Sequence, residues 1–481
     1  MREMTQIKPV PIKRITQSIN QERSLFFKGL ITILILVTGA YVHYSTPQIV
    51  SSLLQLLVLF FYFRSNKNYL WIFVFLFVNF SPGGLYGRSM PLYLASVPGL
   101  GILRFEMAFI LVSLLKALKN PVPVFYRNNY LIIVIYIVIL VIIEGIAHFT
   151  TFFRGMINFS WLLILPCLLR NKDEFASLFY LIFLGNILAF VFNIYQISTG
   201  TEFVSSFAGI DVTRRIYEPD LQYVRTIGGG QFAFLSIIGG LLYLNSQESE
   251  LKPFISYISI VIGMLNILSS GTRGWIFASV FLIVIYSFFM IPRLLRNILL
   301  IVPLIILTIV VVWNIPLIRN QLLNAYNRSL YHEYLLDLDP ETSEVGRIRR
   351  GARVMEKFRE KPIIGFGFGD ETREYADGHA GNQYMLLTFG IVGFLLFLRL
   401  WLGFISKLLA SDNLLKPRKR EHRINILISL SLVSAYLIHS TSGAFMYPTS
   451  SGVYWYGMIF AYGNYLYYKQ KKNSYGQYGK I

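Results

Sequence analysis

His379 and Asn382 stand three residues apart in DGHAGNQ, immediately before the apolar run YMLLTFGIVGFLLFL. A histidine there can take up or orient a proton near neutral pH, since its unperturbed pKa is about 6.5. It can equally be a surface side chain bonded to loop backbone. Arginines make a second set: Arg225 in QYVRTIGGGQ, Arg273 in SSGTRGW, and Arg347 and Arg350 in SEVGRIRRGARVMEKFREKP. Guanidinium keeps its charge and offers a rigid donor fork that suits phosphate oxygens. Gly271, Thr272 and Gly274 flank Arg273 and leave room for an anion to approach. Taken singly, each arginine could instead snorkel to lipid headgroups or pair with an acidic loop residue. The glycines of GFGFGD (Gly365, Gly367, Gly369) resemble a phosphate cradle only superficially, because no strand and no Walker-type lysine accompany them. They read as a hinge or turn. Acidic residues in DLDPETSE, with Asp370 and Glu371, lack any recognised metal-ligand spacing, so no metal is expected.

The elements that must carry these residues are membrane spans. Of 481 residues, 54% are hydrophobic and only 14% charged, against about 25% charged in a typical soluble domain. Mean hydropathy is positive. Apolar runs long enough to cross a bilayer, about 20 residues each, recur along the chain. Spans are expected near 26–45, 49–63, 68–84, 99–118, 130–148, 155–170, 175–196, 226–244, 253–269, 275–292, 298–315, 383–406, 425–445 and 453–468. The expected fold is therefore an all-α polytopic bundle of about fourteen transmembrane helices. SPGGLYGRSMPLYLASVPGLG, between the third and fourth spans, reads as an outer loop or re-entrant piece. The basic N-terminus lacks a signal-peptide cleavage pattern, so Leu25–Tyr44 is expected to remain as a first span.

A net charge of +19 would suit nucleic acid, but the basic residues sit at the ends of hydrophobic segments, which sets that partner aside. With the N-terminus in the cytoplasm, the loops RSNKN, KALKN, RNKDE, RLLRN and KPRKREHR and the C-terminal KQKK all fall inside, as the positive-inside rule requires. Tyr- and Trp-rich span ends suit headgroup-level belts. The chain then divides into 1–225 (N-terminal spans and first outer loop), 226–315 (central spans), 316–382 (a large outer loop) and 383–481 (C-terminal spans and cytoplasmic tail). Within the large loop, Ile348, Gly351, Ala352, Met355 and Phe358 recur at helical spacing, with Arg347, Arg350, Arg353, Lys357 and Lys361 on another face. Pro362 should end that helix. Glu144 and Arg104 are placed near outer span ends, where they could pair across helices. Cys167, the one cysteine, permits no internal disulfide and reads as a small buried residue.

Three passages in order resemble the bacterial O-antigen polymerase and ligase superfamily of integral-membrane glycosyltransferases. They are RTIGGGQFAFLSIIGGLLYL, SSGTRGWIFASVFLIVIYSF and GRIRRGARVMEKFREKPIIGFGFGD…GHAGNQYMLLTFGIVGFLLFL. The likeness covers roughly residues 220–405. The chain departs from the family in having alanine where the loop helix commonly has an aromatic, and in spacing Asn382 away from His379. The resemblance implies a C-type glycosyltransferase fold acting outside the cytoplasmic membrane on polyprenyl-diphosphate-linked glycans. Under it, Arg225, Arg273, Arg347 and Arg350 bind the donor diphosphate and His379 serves the acceptor hydroxyl. Asn382, Gly365 and Gly367 become acceptor or loop contacts. No cofactor is implied. Partners would be the lipid-linked donor, a glycan or lipid A-core acceptor, membrane lipids and a chain-length-regulating co-polymerase. Polymerase is preferred over ligase on span number. A glycan flippase or exporter, from another class, is disfavoured because no internal repeat is evident. A structural membrane subunit would leave the arginines and His379 replaceable.

Overall fold

The computed structural model describes residues 12–80, 85–86, 92–97, 101–144, 149–199, 201, 203, 217–218, 223–224, 230–245, 253–270, 273–289, 343–375, 381–415, 419–440 and 452–478, with isolated positions between 310 and 323. The first seven helices are α1 (Ile12–Ser45), α2 (Gln48–Arg64), α3 (Asn68–Asn79), α4 (Phe105–Leu118), α5 (Arg127–Glu144), α6 (Phe149–Leu168) and α7 (Lys172–Thr199). A central group follows: α8 (Gly230–Asn245), α9 (Pro253–Ser270) and α10 (Arg273–Phe288). Then come α11 (Ser343–Phe358), the short α12 (Asp370–Glu374), α13 (Asn382–Leu415), α14 (Lys419–Ser440) and α15 (Gly452–Tyr478).

The bundle is apolar on much of its exterior as well as in its core. On α2 the residues turned inward at helical spacing are Ser51, Gln55, Leu59 and Tyr62. Leu53, Leu57, Phe60 and Phe61 point outward, Leu53 at 61% exposure. Such a contiguous apolar exterior suits hydrocarbon, and the polar groups find partners inside. Among the described residues, three helical stretches are long and apolar enough to span by themselves: Arg23–Ser45, Lys172–Thr199 and Asn382–Ser411. Shorter apolar helices surround them, α3 and α8 among them. The expected span 298–315 lies largely outside the described residues.

Two small antiparallel hairpins interrupt the expected all-α design. β1 (Tyr93–Val97) pairs with β2 (Gly101–Arg104), and β3 (Tyr217–Glu218) with β4 (Tyr223–Val224). The expected span 99–118 is thereby shortened. Its first residues belong to β2 and only the 14 residues of α4 are helical, about 21 Å of rise. Aromatic rings fill the centre. Phe75 lies 4.8 Å from each of Phe109, Trp161 and Tyr454, and Tyr62 stacks on Phe109 at 4.3 Å. Cys167 is buried and free, as expected.

Three of the short basic loops, RSNKN, KALKN and RNKDE, gather at one end. Lys116 Nζ donates to the carbonyls of Tyr62 and Ser65, Lys119 lies over the Phe63 ring, and Arg170 donates to Asn120 O. Asn68 reaches Leu168 O across the same end. The hairpin β1–β2 sits at the other end, where Gln48 Nε2 donates to Tyr93 O at 2.7 Å. Arg104 there meets Glu106, at 3.9 Å.

Candidate active site

The run YMLLTFGIVGFLLFL reads as one uninterrupted span, yet α13 is broken inside it. Gly390 has φ 63° and ψ −175°, a region open essentially to glycine alone. A break in a helix orphans the last carbonyls of one half and the first amides of the next. Within a bilayer those groups must be satisfied by protein.

The glycine turn supplies the partners. Phe366 N donates to Leu387 O at 2.9 Å and Gly367 N to Thr388 O at 2.8 Å. Beyond the break, Ile391 N donates to Pro362 O at 2.9 Å and Val392 N to Ile363 O at 3.1 Å. Tyr136 of α5 closes the remaining gap, its hydroxyl donating to Phe389 O at 2.6 Å and reaching Ile364 O at 3.3 Å. Residues 362–367 are therefore stitched into α13 on both sides of Gly390. Of the two expected alternatives, hinge or turn, the segment is a turn held in place by these bonds. Gly365, at φ 72°, allows the close approach: a Cβ there would fall 2.6 Å from Thr388 O and from Gly390 N.

This plug fixes α11. Gly351, Val354 and Phe358 are buried and Met355 is half-buried, whereas Ala352 is exposed. The expected apolar face is thus corrected at that position, with Val354 taking the place assigned to Ala352. Val354 and Phe358 pack with Phe366 and Leu387, so the helix, the plug and the first half of α13 share one small core. A Cβ on Gly351 would meet Gln383 Oε1 at 2.5 Å, which sets α11 directly against the start of α13. α11 ends at Phe358, and a tight turn over residues 359–361 precedes Pro362. Lys357 Nζ bonds Glu360 at 2.6 Å and approaches Glu371 at 3.9 Å. Its hydrogen bond to Glu360 raises the ammonium pKa above the usual lysine range. Lys357 and Lys361 also stand over the Phe366 ring, and Arg353 over Tyr375. These three cations are occupied in holding the loop.

Arg347 and Arg350 lie on α11 about three and two turns before its last residue, and Arg350 adjoins Gly351 at the contact with Gln383. Asn382 is the first residue of α13 and follows Gly381 at φ 55°. Its Nδ2 donates to Tyr436 Oη of α14 at 2.6 Å, while its Oδ1 is buried with no hydrogen-bond donor among the described residues. α14 packs along α10. Tyr286 near the end of α10 interacts with Arg423 near the start of α14, so the two run antiparallel. Arg273, the first residue of α10, consequently belongs to the same end as Tyr436 and Asn382. Gly230, which opens α8, abuts Trp275 two residues beyond Arg273, 2.9 Å from a Cβ position to Nε1. Arg225 and His379 lie outside the described residues.

A polar group that the sequence reading missed lies below this end. Asn266 of α9 bonds both Asn193 and Asn186 of α7, the latter at 2.7 Å. Gln196 is fully buried one turn above Asn193, and among the described residues neither of its amide atoms has a partner. Their only sequence signal is the presence of amides within otherwise apolar runs. Among the described residues no group of three His, Cys, Asp or Glu side chains is placed to hold a metal.

Fold and site together define a polytopic helical membrane protein with a basic loop helix clamped over one end of its bundle. Residues 258–398 match the family model described as O-antigen ligase. The matched stretch runs from α9 to the second half of α13 and includes Arg273, α11, the glycine plug, His379 and Asn382, while Arg225 lies before it. The match supports the O-antigen polymerase and ligase superfamily. No curated protein matches the chain.

Proposed function

We propose that the protein is a glycosyltransferase that polymerises polyprenyl-diphosphate-linked oligosaccharide repeat units at the outer face of the bacterial cytoplasmic membrane. The product would be an O-antigen, capsule or exopolysaccharide. The observation that carries this reading is the plugged break at Gly390. It sets α11, with Arg347 and Arg350, against the start of α13, at the bundle end where α10 begins with Arg273. In the proposed mechanism Arg273, Arg225, Arg347 and Arg350 bind the donor diphosphate and stabilise the negative charge that develops as it leaves. His379 accepts or orients the proton of the acceptor hydroxyl. Asn382, oriented through Tyr436, offers its Oδ1 to the acceptor or the loop. A single displacement of this kind inverts the anomeric carbon and needs neither nucleotide nor metal, because the donor is already activated. Both termini would lie in the cytoplasm, and a co-polymerase could set chain length.

The family match also suits a ligase, in which lipid A-core or protein replaces the second repeat unit as acceptor. The deciding experiment gives purified protein a polyprenyl-diphosphate-linked oligosaccharide with no nucleotide sugar. A ladder of longer lipid-linked chains establishes the polymerase. Transfer that appears only when a lipid A-core acceptor is added establishes the ligase. Inertness with every acceptor removes the enzyme reading and favours transport.

A further inference from the structure

The bundle carries a second cationic feature at the end opposite α11. A cleft of about 240 Å³ opens between the start of α5 and the second half of α13, lined by Phe125, Asn128, Asn129, Arg399, Gly403 and Lys407. Arg399 and Lys407 are both exposed. They are two turns apart on α13, about 12 Å along the axis. No carboxylate lines the cleft, and among the described residues neither cation has an ion-pair partner. Polar and aromatic contacts tie the cleft floor together. Asn129 Nδ2 reaches Arg399 O at 3.5 Å, and Lys407 Nζ reaches Phe125 O at 3.4 Å. The Phe125 ring stacks on Phe404 at 5.0 Å and contacts Tyr467 at 4.7 Å.

The surface running from this cleft toward the other end is apolar on both helices. Leu131 and Ile135 of α5 and Leu395 and Leu402 of α13 are all exposed. Two uncompensated cations and amide donors at a headgroup level, continued by an apolar groove, are complementary to an anionic head on acyl chains. Basic pockets between transmembrane helices take such heads. The end concerned is also the one where those three short basic loops gather.

We infer that the Arg399–Lys407 cleft binds the phosphate headgroup of an anionic phospholipid, whose acyl chains lie in the groove between α5 and α13. Because the same two helices meet at Tyr136 and Phe389, a lipid held here clamps the pair that carries the plugged break. The inference does not depend on the transfer reaction proposed above.

The test measures thermal unfolding of delipidated, detergent-purified full-length protein as phosphatidylglycerol, phosphatidylcholine or inorganic phosphate is added. Phosphatidylglycerol should raise the midpoint of wild type and of a Lys67→Gln control, which removes one exposed cation elsewhere at the same end. The Arg399→Gln/Lys407→Gln double variant should need about thirtyfold more phosphatidylglycerol for the same shift, from the loss of two basic contacts near an anionic headgroup. Phosphatidylcholine and phosphate should do little to any of them. An unchanged response of the double variant, or an equal response to phosphatidylcholine, would overturn the site. A response to inorganic phosphate matching that to the lipid would overturn its assignment to lipid. Should the double variant not fold, Lys407→Gln must weaken the response and Lys407→Arg restore it, or the inference fails.

Discussion

Replacing Gly390 by alanine should unlock the loop from the bundle. An alanine at φ 63° and ψ −175° costs about 1–3 kcal/mol in backbone strain. Its Cβ would also collide with the carbonyl of Ile363, so residues 362–363 must withdraw. Withdrawal breaks the bonds from Ile391 N to Pro362 O and from Val392 N to Ile363 O. Each is worth about 0.5–1.5 kcal/mol, and more where the amide is left without a partner. The sum, about 2–6 kcal/mol, favours the open loop by roughly 30-fold or more. Hydrogen exchange of the amides in 363–367 and 391–392 should accelerate by that factor, because exchange there tracks local opening. Gly369→Ala is the control. Its Cβ would meet only Phe366 O at 3.4 Å and its φ lies outside the left-handed range, so exchange should stay near wild type. Wild-type exchange in Gly390→Ala would refute the claim that this break, and the plug across it, hold the loop.

Other consequences follow from the same contacts. Tyr136→Phe removes the hydroxyl that donates to Phe389 O and should cost about 1–2 kcal/mol, read as faster exchange at the plug without loss of the bundle's helicity. Asn266→Leu leaves Asn186 Oδ1 and Asn193 Nδ2 without their partner. Interhelical polar contacts in membranes average about 0.6 kcal/mol, but two stranded amide groups raise the expectation to about 2 kcal/mol in an unfolding titration. Transfer activity, once reconstituted, should persist in chelator; activity lost with chelator and restored by a divalent cation would refute the metal-free mechanism.

Much of the architecture is written in the sequence, because bilayer thickness converts hydrophobic run length directly into helices. The basic loops were legible for the same reason, and the contacts of Lys116, Lys119 and Arg170 bring several of them to one end. Gly390 was not. TFGIVGF is apolar throughout, and hydropathy cannot distinguish a glycine that packs from one that breaks a helix. The plug was half visible: Pro362, Gly365 and Gly367 announce a turn, but the carbonyls it serves lie more than twenty residues further along. The apolar face of α11 was misplaced by the same non-local effect, since Phe366 and Leu387 select Val354 over Ala352. Residues 99–104 looked like the start of a span because the strand β2 is itself apolar. The buried amides of α7 and α9 were passed over because each is isolated in sequence and only helix packing assembles them.

The central claim is that the arginines and His379 act on a lipid-linked donor. The most direct measurement is release of free polyprenyl diphosphate from a polyprenyl-diphosphate-linked oligosaccharide, by wild type, Arg273→Ala and His379→Ala, each first checked for wild-type hydrogen exchange at the plug. The account predicts release coupled to glycan transfer in wild type and a loss of about 100-fold or more in both variants. Wild-type release by either folded variant would remove that residue from the chemistry, and by both would contradict the site.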